Sequence, residues 1–320
     1  MRLFALTFAL LALYAYVGQA APLDTKNVAA DAKWVAHVDV DAVRDSKIVQ
    51  KAFAACPELK ESGKHFDELR DKIGIDLRKD LHGLTLYGPD ADKTHAVAIV
   101  YSTVNQKLLL EKAEKAADHK VTRHGSIDIH SWTQQRAGKT EPAAGAFFKS
   151  NVLVFAASPE RVAAAIDVLD GKSRGLTDAN SPLAGRAPTG STVVFRTVVF
   201  RPETPFAAAK LAESFRVATG ENNGNSFYHA TLVLKSSEAA TQIKAIADGI
   251  KALGSLRFAA DADVMKLIAG LKTTVDGNTV KTSWDASTDD VWTVVEKVAK
   301  KAAEHLKKAD QAGKGGEAFN

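Results

Sequence analysis

Cysteine is nearly missing from this chain: Cys56 is alone among 320 residues. No intramolecular disulfide can form, and no thiolate metal cluster can be assembled within one chain. Cys56 lies between a helical pattern and Pro57, the ordinary place of a small buried hydrophobe rather than a reactive thiol. Aromatic residues make up only 7%, so no stacking platform for bases or sugars is advertised. Neither sign of charge dominates. The 42 Lys and Arg against 38 Asp and Glu leave +4, and the cations are scattered rather than gathered into the basic stripe of a nucleic-acid binder. No G-x-x-x-x-G-K-[ST] or G-x-G-x-x-G follows a strand pattern, so no nucleotide cradle is expected. The G-x-S-x-G spelled by Gly171–Gly175 ends a helical pattern instead of following a strand, so no nucleophile elbow is expected, and no H-E-x-x-H helix occurs.

Long apolar runs are also lacking, with one exception at the start. Met1-Arg2 is a short positive region, Leu3 to Val17 is apolar apart from Thr7, and Gly18-Gln19-Ala20 supplies small residues at a cleavage site. This is the secretory pattern. Cleavage after Ala20 avoids placing Pro22 directly behind the cut and would leave a net charge of +3 (4 − 1). The rival reading is an uncleaved anchor, but the run is short for a span of about 20 residues. No Cys follows the leader, so lipid attachment there is excluded. The mature protein is expected outside the cytoplasm, periplasmic or extracellular, with no transmembrane segment after cleavage and no cofactor.

What is there is an ordinary globular composition, 46% hydrophobic and 25% charged, enough for one large core or two smaller ones. Lys33–Val40 alternates and predicts a strand with Trp34, Ala36, Val38 and Val40 inward and Val35, His37 and Asp39 outward. Asp41 is expected to cap a helix to about Ala55, and 58–73 reads as a second amphipathic helix. Strands at Leu84–Tyr87 and His95–Tyr101, a helix at Lys107–Ala117, hairpins about Gly125 and Ser150-Asn151, and a helix opened by Ser158-Pro159-Glu160 complete the first half. The second half predicts a strand at Thr192–Phe200, a helix at Pro205–Ala212, and strands Phe215–Thr219 and Phe227–Lys235. Helices from Ser236 and Asp261, a hairpin about Gly277 and a last helix from Thr288 follow. Both halves then read strand, strand, helix, strand, strand. The expected class is α+β: two similar lobes, each an antiparallel sheet with helices on one face, from an internal duplication. The boundaries are a signal peptide at 1–20, lobes at 21–175 and 191–310, a Gly-, Ser- and Pro-rich linker at 176–190, and a disordered tail at 311–320.

The stretch between the first helices and the first sheet organises this half. Gly74 stops a helix, Asp76 caps a turn over Leu77–Asp80, and Gly83 releases Leu84-Thr85-Leu86-Tyr87, with Leu84 and Leu86 sharing one face. His82 is expected to bond turn backbone. The run Asp76–Gly88 (D-L-R-K-D-L-H-G-L-T-L-Y-G), with H-A-V-A-I-V from His95 and A-G-A-F-F-K-S-N-V-L-V from Ala144, resembles a family of exported bacterial proteins of unknown function. The resemblance continues through Ala259–Trp292 and so covers most of the mature chain. It implies export and a shared fold and transfers no active site.

One constellation could carry chemistry. His37, Asp39 and Asp41 recur along the first strand pattern, and His124, Ser126, Asp128 and His130 along the hairpin about Gly125. Imidazole and carboxylate on one strand face can bind zinc or another divalent ion, which makes His37, Asp39, Asp128 and His130 the candidate ligands of a metal-dependent hydrolase. Alternation alone also predicts polar residues on the wet face of a half-buried strand, and the two sets are far apart in the chain. Asp289-Asp290 fits favourable charge at a helix N-terminus. A third reading is a peripheral membrane binder through the last helix, whose Val291, Val294, Val295 and Val298 run beside Lys297, Lys300, Lys301, Lys307 and Lys308. The simpler account of that helix caps the second sheet with solvated lysines. The reading the sequence favours is a non-enzymatic binding or structural component of the cell envelope or exterior, with an unknown protein or envelope partner and no nucleic acid.

Overall fold

The computed structural model describes residues 22–55, 66–68, 70–71, 74, 76–136, 138–200 and 210–300. The expected leader, Cys56, most of the helix at 58–73, positions 205–209 and the cations beyond residue 300 lie outside them. Twelve strands form one continuous sheet in the order β11-β12-β10-β9-β8-β1-β2-β3-β7-β6-β5-β4, and every neighbouring pair is antiparallel. The strands are β1 (Trp34–Asp39), β2 (Leu81–Gly88), β3 (Val97–Ser102), β4 (Lys120–His124), β5 (Ile127–Arg136) and β6 (Lys139–Lys149). They continue with β7 (Val152–Ala156), β8 (Ser191–Thr197), β9 (Ala212–Asn222), β10 (Asn225–Leu234), β11 (Lys272–Asp276) and β12 (Thr279–Ser287). The helices are α1 (Val40–Asp45), α2 (Lys47–Ala55), α3 (Leu77–Asp80), α4 (Gln106–Glu114), α5 (Pro159–Leu169), α6 (Ser237–Arg257), α7 (Ala262–Gly270) and α8 (288–300). The class is therefore α+β. No helix among the described residues is long and apolar enough to cross a membrane.

Local chemistry sets most element ends. Asp76, Asn105, Ser236 and Asp261 each accept a backbone N–H at the start of α3, α4, α6 and α7, which satisfies a donor the helix leaves orphaned. Asp39, rather than Asp41, caps α1 through Ala42 N. The six-residue linker pattern G-E-N-N-G-N becomes a two-residue turn: Asn223 and Gly224 both take positive φ, 49° and 79°, the turn that matches strand twist. Strands β9 and β10 consequently run longer than their apolar cores. The edge strands β4 and β11 are short, exposed and carry lysine, which discourages pairing with another sheet.

The halves join where β1 pairs with β8, Trp34 opposite Thr197 through Val38 opposite Val193. One face of the sheet is thickly covered. Val35, Tyr87, Val97, Ile99, Val154 and Val194 meet Val162, Ala165 and Ile166 of α5, Leu23 and Val28 before β1, and Leu176 and Leu183 after α5 in a single core. The segment expected as a linker contributes Leu176, Leu183 and Ala184 to this core. Arg196, buried on β8, fixes it by donating from Nη1 to the carbonyls of Leu183, Ala184 and Gly185 at 2.6, 2.9 and 2.8 Å. Burial, with Arg216 beside it, pulls this guanidinium down to about 10.

The covered face reverses the expected polarity of β1 and takes the Thr85 and Tyr87 side of β2. Val35 and His37 are buried and Trp34, Ala36 and Val38 only half-buried; Thr85 and Tyr87 are buried and Leu84 and Leu86 half-buried. Apolar residues sit on both faces, so alternation could not say which face α5 would cover. The second face is covered at its ends, by α4 over β5, β6 and β7 and by α6 over β10, β11 and β12.

Candidate functional site

The four residues that could ligate a metal do not meet. His37 faces the covered core, and its Nδ1 lies 2.9 Å from Thr85 Oγ1. Asp39 is the α1 cap, its carboxyl raised by burial. Asp128 and His130 are on β5, five strand positions from β1 in the sheet order, or about 24 Å at the usual strand spacing. His130 also points to the opposite face from His37, since it pairs with Gly145, which opposes Phe155 on the second face. Among the described residues no group of three or more His, Cys, Asp and Glu is arranged to hold a metal ion.

The histidines serve other contacts. His82 does not bond turn backbone: its Nδ1 lies 3.1 Å from both Asp41 carboxylate oxygens and its Nε2 3.2 Å from Thr103 Oγ1. That is the order of an acid, imidazole and hydroxyl relay, but Asp41 is also paired with Arg44, and neither His82 nor Thr103 lines any of the cavities described below. The triplet clamps α1 to the adjoining ends of β2 and β3. His124 bonds Asp167 of α5 at 2.8 Å and holds the β4–β5 hairpin against that helix.

The best-formed site lies on the second face, beneath α4. The L-L-L run turns Leu109 and Leu110 toward the sheet with Ala113 and Ala116, one and two turns along. Below them Phe147, Leu153 and Phe155 form the floor, and His130 and Trp132 one side. The cavity, partly open to the surface, is about 250 Å³ and its wall is almost wholly carbon. Gly145 makes room for it: a Cβ there would lie 2.7 Å from Phe155 Cδ1 and Cε1, so only glycine lets that ring lie flat on β6. The end of α4 is tied to β5 by Thr133 N to Ala117 O and Thr133 Oγ1 to Asp118 Oδ2, both 3.1 Å. His119 stacks on His130 with 5.3 Å between ring centroids and 3.0 Å between Nε2 and Nδ1. Burial and then His119 lower the basicity of His130, against the opposing pull of Asp128 and Glu114.

A second cavity of about 440 Å³ abuts the first, sharing Trp132 and Phe155. Its floor includes Leu86 and Ala98, but its outer rim is polar, with Lys93, Thr94, Gln134 and Glu141. The Lys93 ammonium and the Glu141 carboxylate face each other there at 3.9 Å. Sequence reasoning missed both cavities. The L-L-L and F-F pairs were visible, but which faces they shared was not.

No protein-family model and no curated protein matches the chain. Among solved structures it is similar to crystal form III of TP0453, with a TM-score of 0.46 and 10% identity over 87% of this chain and 99% of that chain. Crystal form IV of TP0453 matches with a TM-score of 0.43 and 9% identity over 86% and 97%. Likeness of that degree carries no argument about fold or function.

Proposed function

We propose that this chain is an exported, non-enzymatic binding protein of the cell envelope or exterior, and that its ligand is an apolar molecule held between α4 and the sheet. The leader pattern Met1–Ala20 supports export. The observation that carries the binding reading is the carbon-lined cavity under Leu109, Leu110 and Ala113, an arrangement typical of small-molecule sites. No imidazole or carboxylate reaches its depth except His130, which is engaged with His119. Titration of the purified mature protein with the fluorescent acyl probe cis-parinaric acid tests the reading. Saturable enhancement at one site per chain is expected; a response no greater than that of a heat-unfolded control overturns it. Fractionation of cells expressing the full chain tests export, with the shortened mature form expected outside the cytoplasm.

A second reading, docking of α8 on an anionic lipid surface, is favoured by the exposure of Val295 and Val298. Lys297 counts against it, being paired with Asp261 and Asp263 of the neighbouring segment. Equal flotation with anionic vesicles by the intact chain and by Val295→Asp/Val298→Asp removes it.

The two halves, in this reading, are diverged copies of one unit. In the first, β1-β2-β3 is followed by α4 and by strands of which the last, β7, returns to pair with β3. In the second, β8-β9-β10 is followed by α6 and α7 and by strands of which the last, β12, returns to pair with β10. The leading strands β1 and β8 meet antiparallel at the centre, as a two-fold relation between copies requires.

A further inference from the structure

The abutting cavities differ in chemistry in a way that specifies one ligand class. We infer that they form one elongated site for a single-chain amphiphile with a zwitterionic head: the chain under α4, the head at the rim between Lys93 and Glu141. This rests on the reading of the carbon-lined cavity as a ligand site and assigns what fills it.

The argument runs from wall to mouth. The inner compartment offers no polar atom along its floor of Phe147, Leu153 and Phe155, so whatever enters there must be hydrocarbon, since an unpaired polar group would lose its water without compensation. Its volume of about 250 Å³ and its roof, a single helix, suit one chain rather than two. Trp132 and Phe155 line both compartments, so a chain leaving the inner one crosses their rings and emerges beside Leu86 and Ala98. Lys112 and His130 border the inner compartment, but only at that end do an ammonium and a carboxylate stand together. Lys93 and Glu141 stand 3.9 Å apart, an exposed pair too loose to stabilise much by itself. A head of one sign would meet attraction from one of them and repulsion from the other. A zwitterion presents its anion to the ammonium and its cation to the carboxylate, with Thr94 and Gln134 left to bond its polar atoms.

The test is displacement of cis-parinaric acid from the full mature chain by dodecylphosphocholine, dodecanoate and dodecylammonium, each below its micellar concentration. The zwitterion is expected to displace the probe about fivefold better than either singly charged compound, the ratio a solvent-exposed ion pair near 1 kcal/mol yields. Lys93→Glu is expected to shift the preference to dodecylammonium and Glu141→Lys to dodecanoate, Lys93 being exposed and Glu141 half-buried at the rim, with a native circular dichroism spectrum required of both. Ala113→Trp, which plugs the inner compartment from the roof, is expected to abolish binding of all three while the circular dichroism spectrum stays native. Equal displacement by the three heads, or a preference that neither charge swap moves, overturns the head assignment while leaving an apolar site standing. Native-like Ala113→Trp that binds as before overturns the chain assignment. Failure of cis-parinaric acid to bind the unaltered chain overturns the ligand-site reading beneath both.

Discussion

His37 shows how one side chain couples the sheet to pH. It is 2% exposed, its Nε2 has no partner among the described residues, and burial brings it down to about 4 from the usual 6.5. The unfolded chain therefore binds a proton near pH 6.5 that the folded chain refuses until about pH 4, so folding stability must fall as pH drops through that window. The loss at its lower end is about 3 kcal/mol, from a shift of this size. Urea unfolding at pH 7 and pH 4.5 measures it. His37→Gln, which can keep the bond to Thr85, is expected to flatten the difference; an unchanged pH slope in the variant would show that another group carries it. Gly145 makes the other residue-scale claim. Gly145→Ala puts a methyl into the Phe155 ring, and the strain of an overfilled core costs about 1–3 kcal/mol. The displaced ring is expected to weaken cis-parinaric acid binding together with the melting temperature; full binding in this variant would show that Phe155 does not form the floor of the occupied site.

At the scale of elements, α2 has a local cap in Ser46, whose Oγ accepts from Val49 N at 3.3 Å, and a second from a distant strand. Glu221, at the end of β9, supplies it across the molecule, accepting from Ser46 Oγ, Lys47 N and Ile48 N at 2.6, 2.9 and 3.0 Å. Glu221→Ala is expected to cost about 1–2 kcal/mol in chemical unfolding, the size of a lost N-cap, and Glu221→Gln distinctly less. Identical losses in the two variants would argue against a capping role. Helix α6 presents the opposite case, a stripe left uncovered by the described residues. Ile246, Ile250, Leu253 and Leu256 are 58, 64, 68 and 76% exposed, while the face carrying Ala239, Ala240 and Ile243 packs on Leu232, Leu234 and Val280. Exposed positions contribute little to folding, so Leu253→Gln is expected to change stability by less than about 0.5 kcal/mol. A loss above about 2 kcal/mol would mean that the stripe is covered in solution.

For the whole molecule the pairing of β1 with β8 matters most. The core runs without a break from Leu23 to Phe227 and takes in the segment between the halves through Leu176 and Leu183. Elements that share one core unfold together. A single calorimetric transition is expected, coincident with near-ultraviolet dichroism from Trp34, Trp132 and Trp284; two separated transitions would mean the halves are independent. Much of this fold was legible beforehand. The strands about Gly125 and Gly277, the helices opened by Ser158 and Ser236, and the α+β class all follow from local pattern and turn chemistry. The hairpin between β5 and β6 was not seen, because Thr133-Gln134-Gln135 carries no apolar alternation. The cavity under α4 was not legible either, since it depends on Leu109, Phe147 and Phe155 arriving at one place from three separate elements.

The sequence by itself determined most of the turns, most of the stretches that become helix or strand, and that neither thiol nor nucleotide-phosphate chemistry is advertised, because these depend on neighbours a few residues away. Only the tertiary structure decided which side of β1 and β2 is inside, that His37 and His130 stand on opposite faces far apart, and that a carbon-lined cavity lies under α4. A strand with apolar residues on both faces has no local reason to prefer either one. The choice is made by whichever distant segment, here α5 and the stretch held by Arg196, covers it first and more completely.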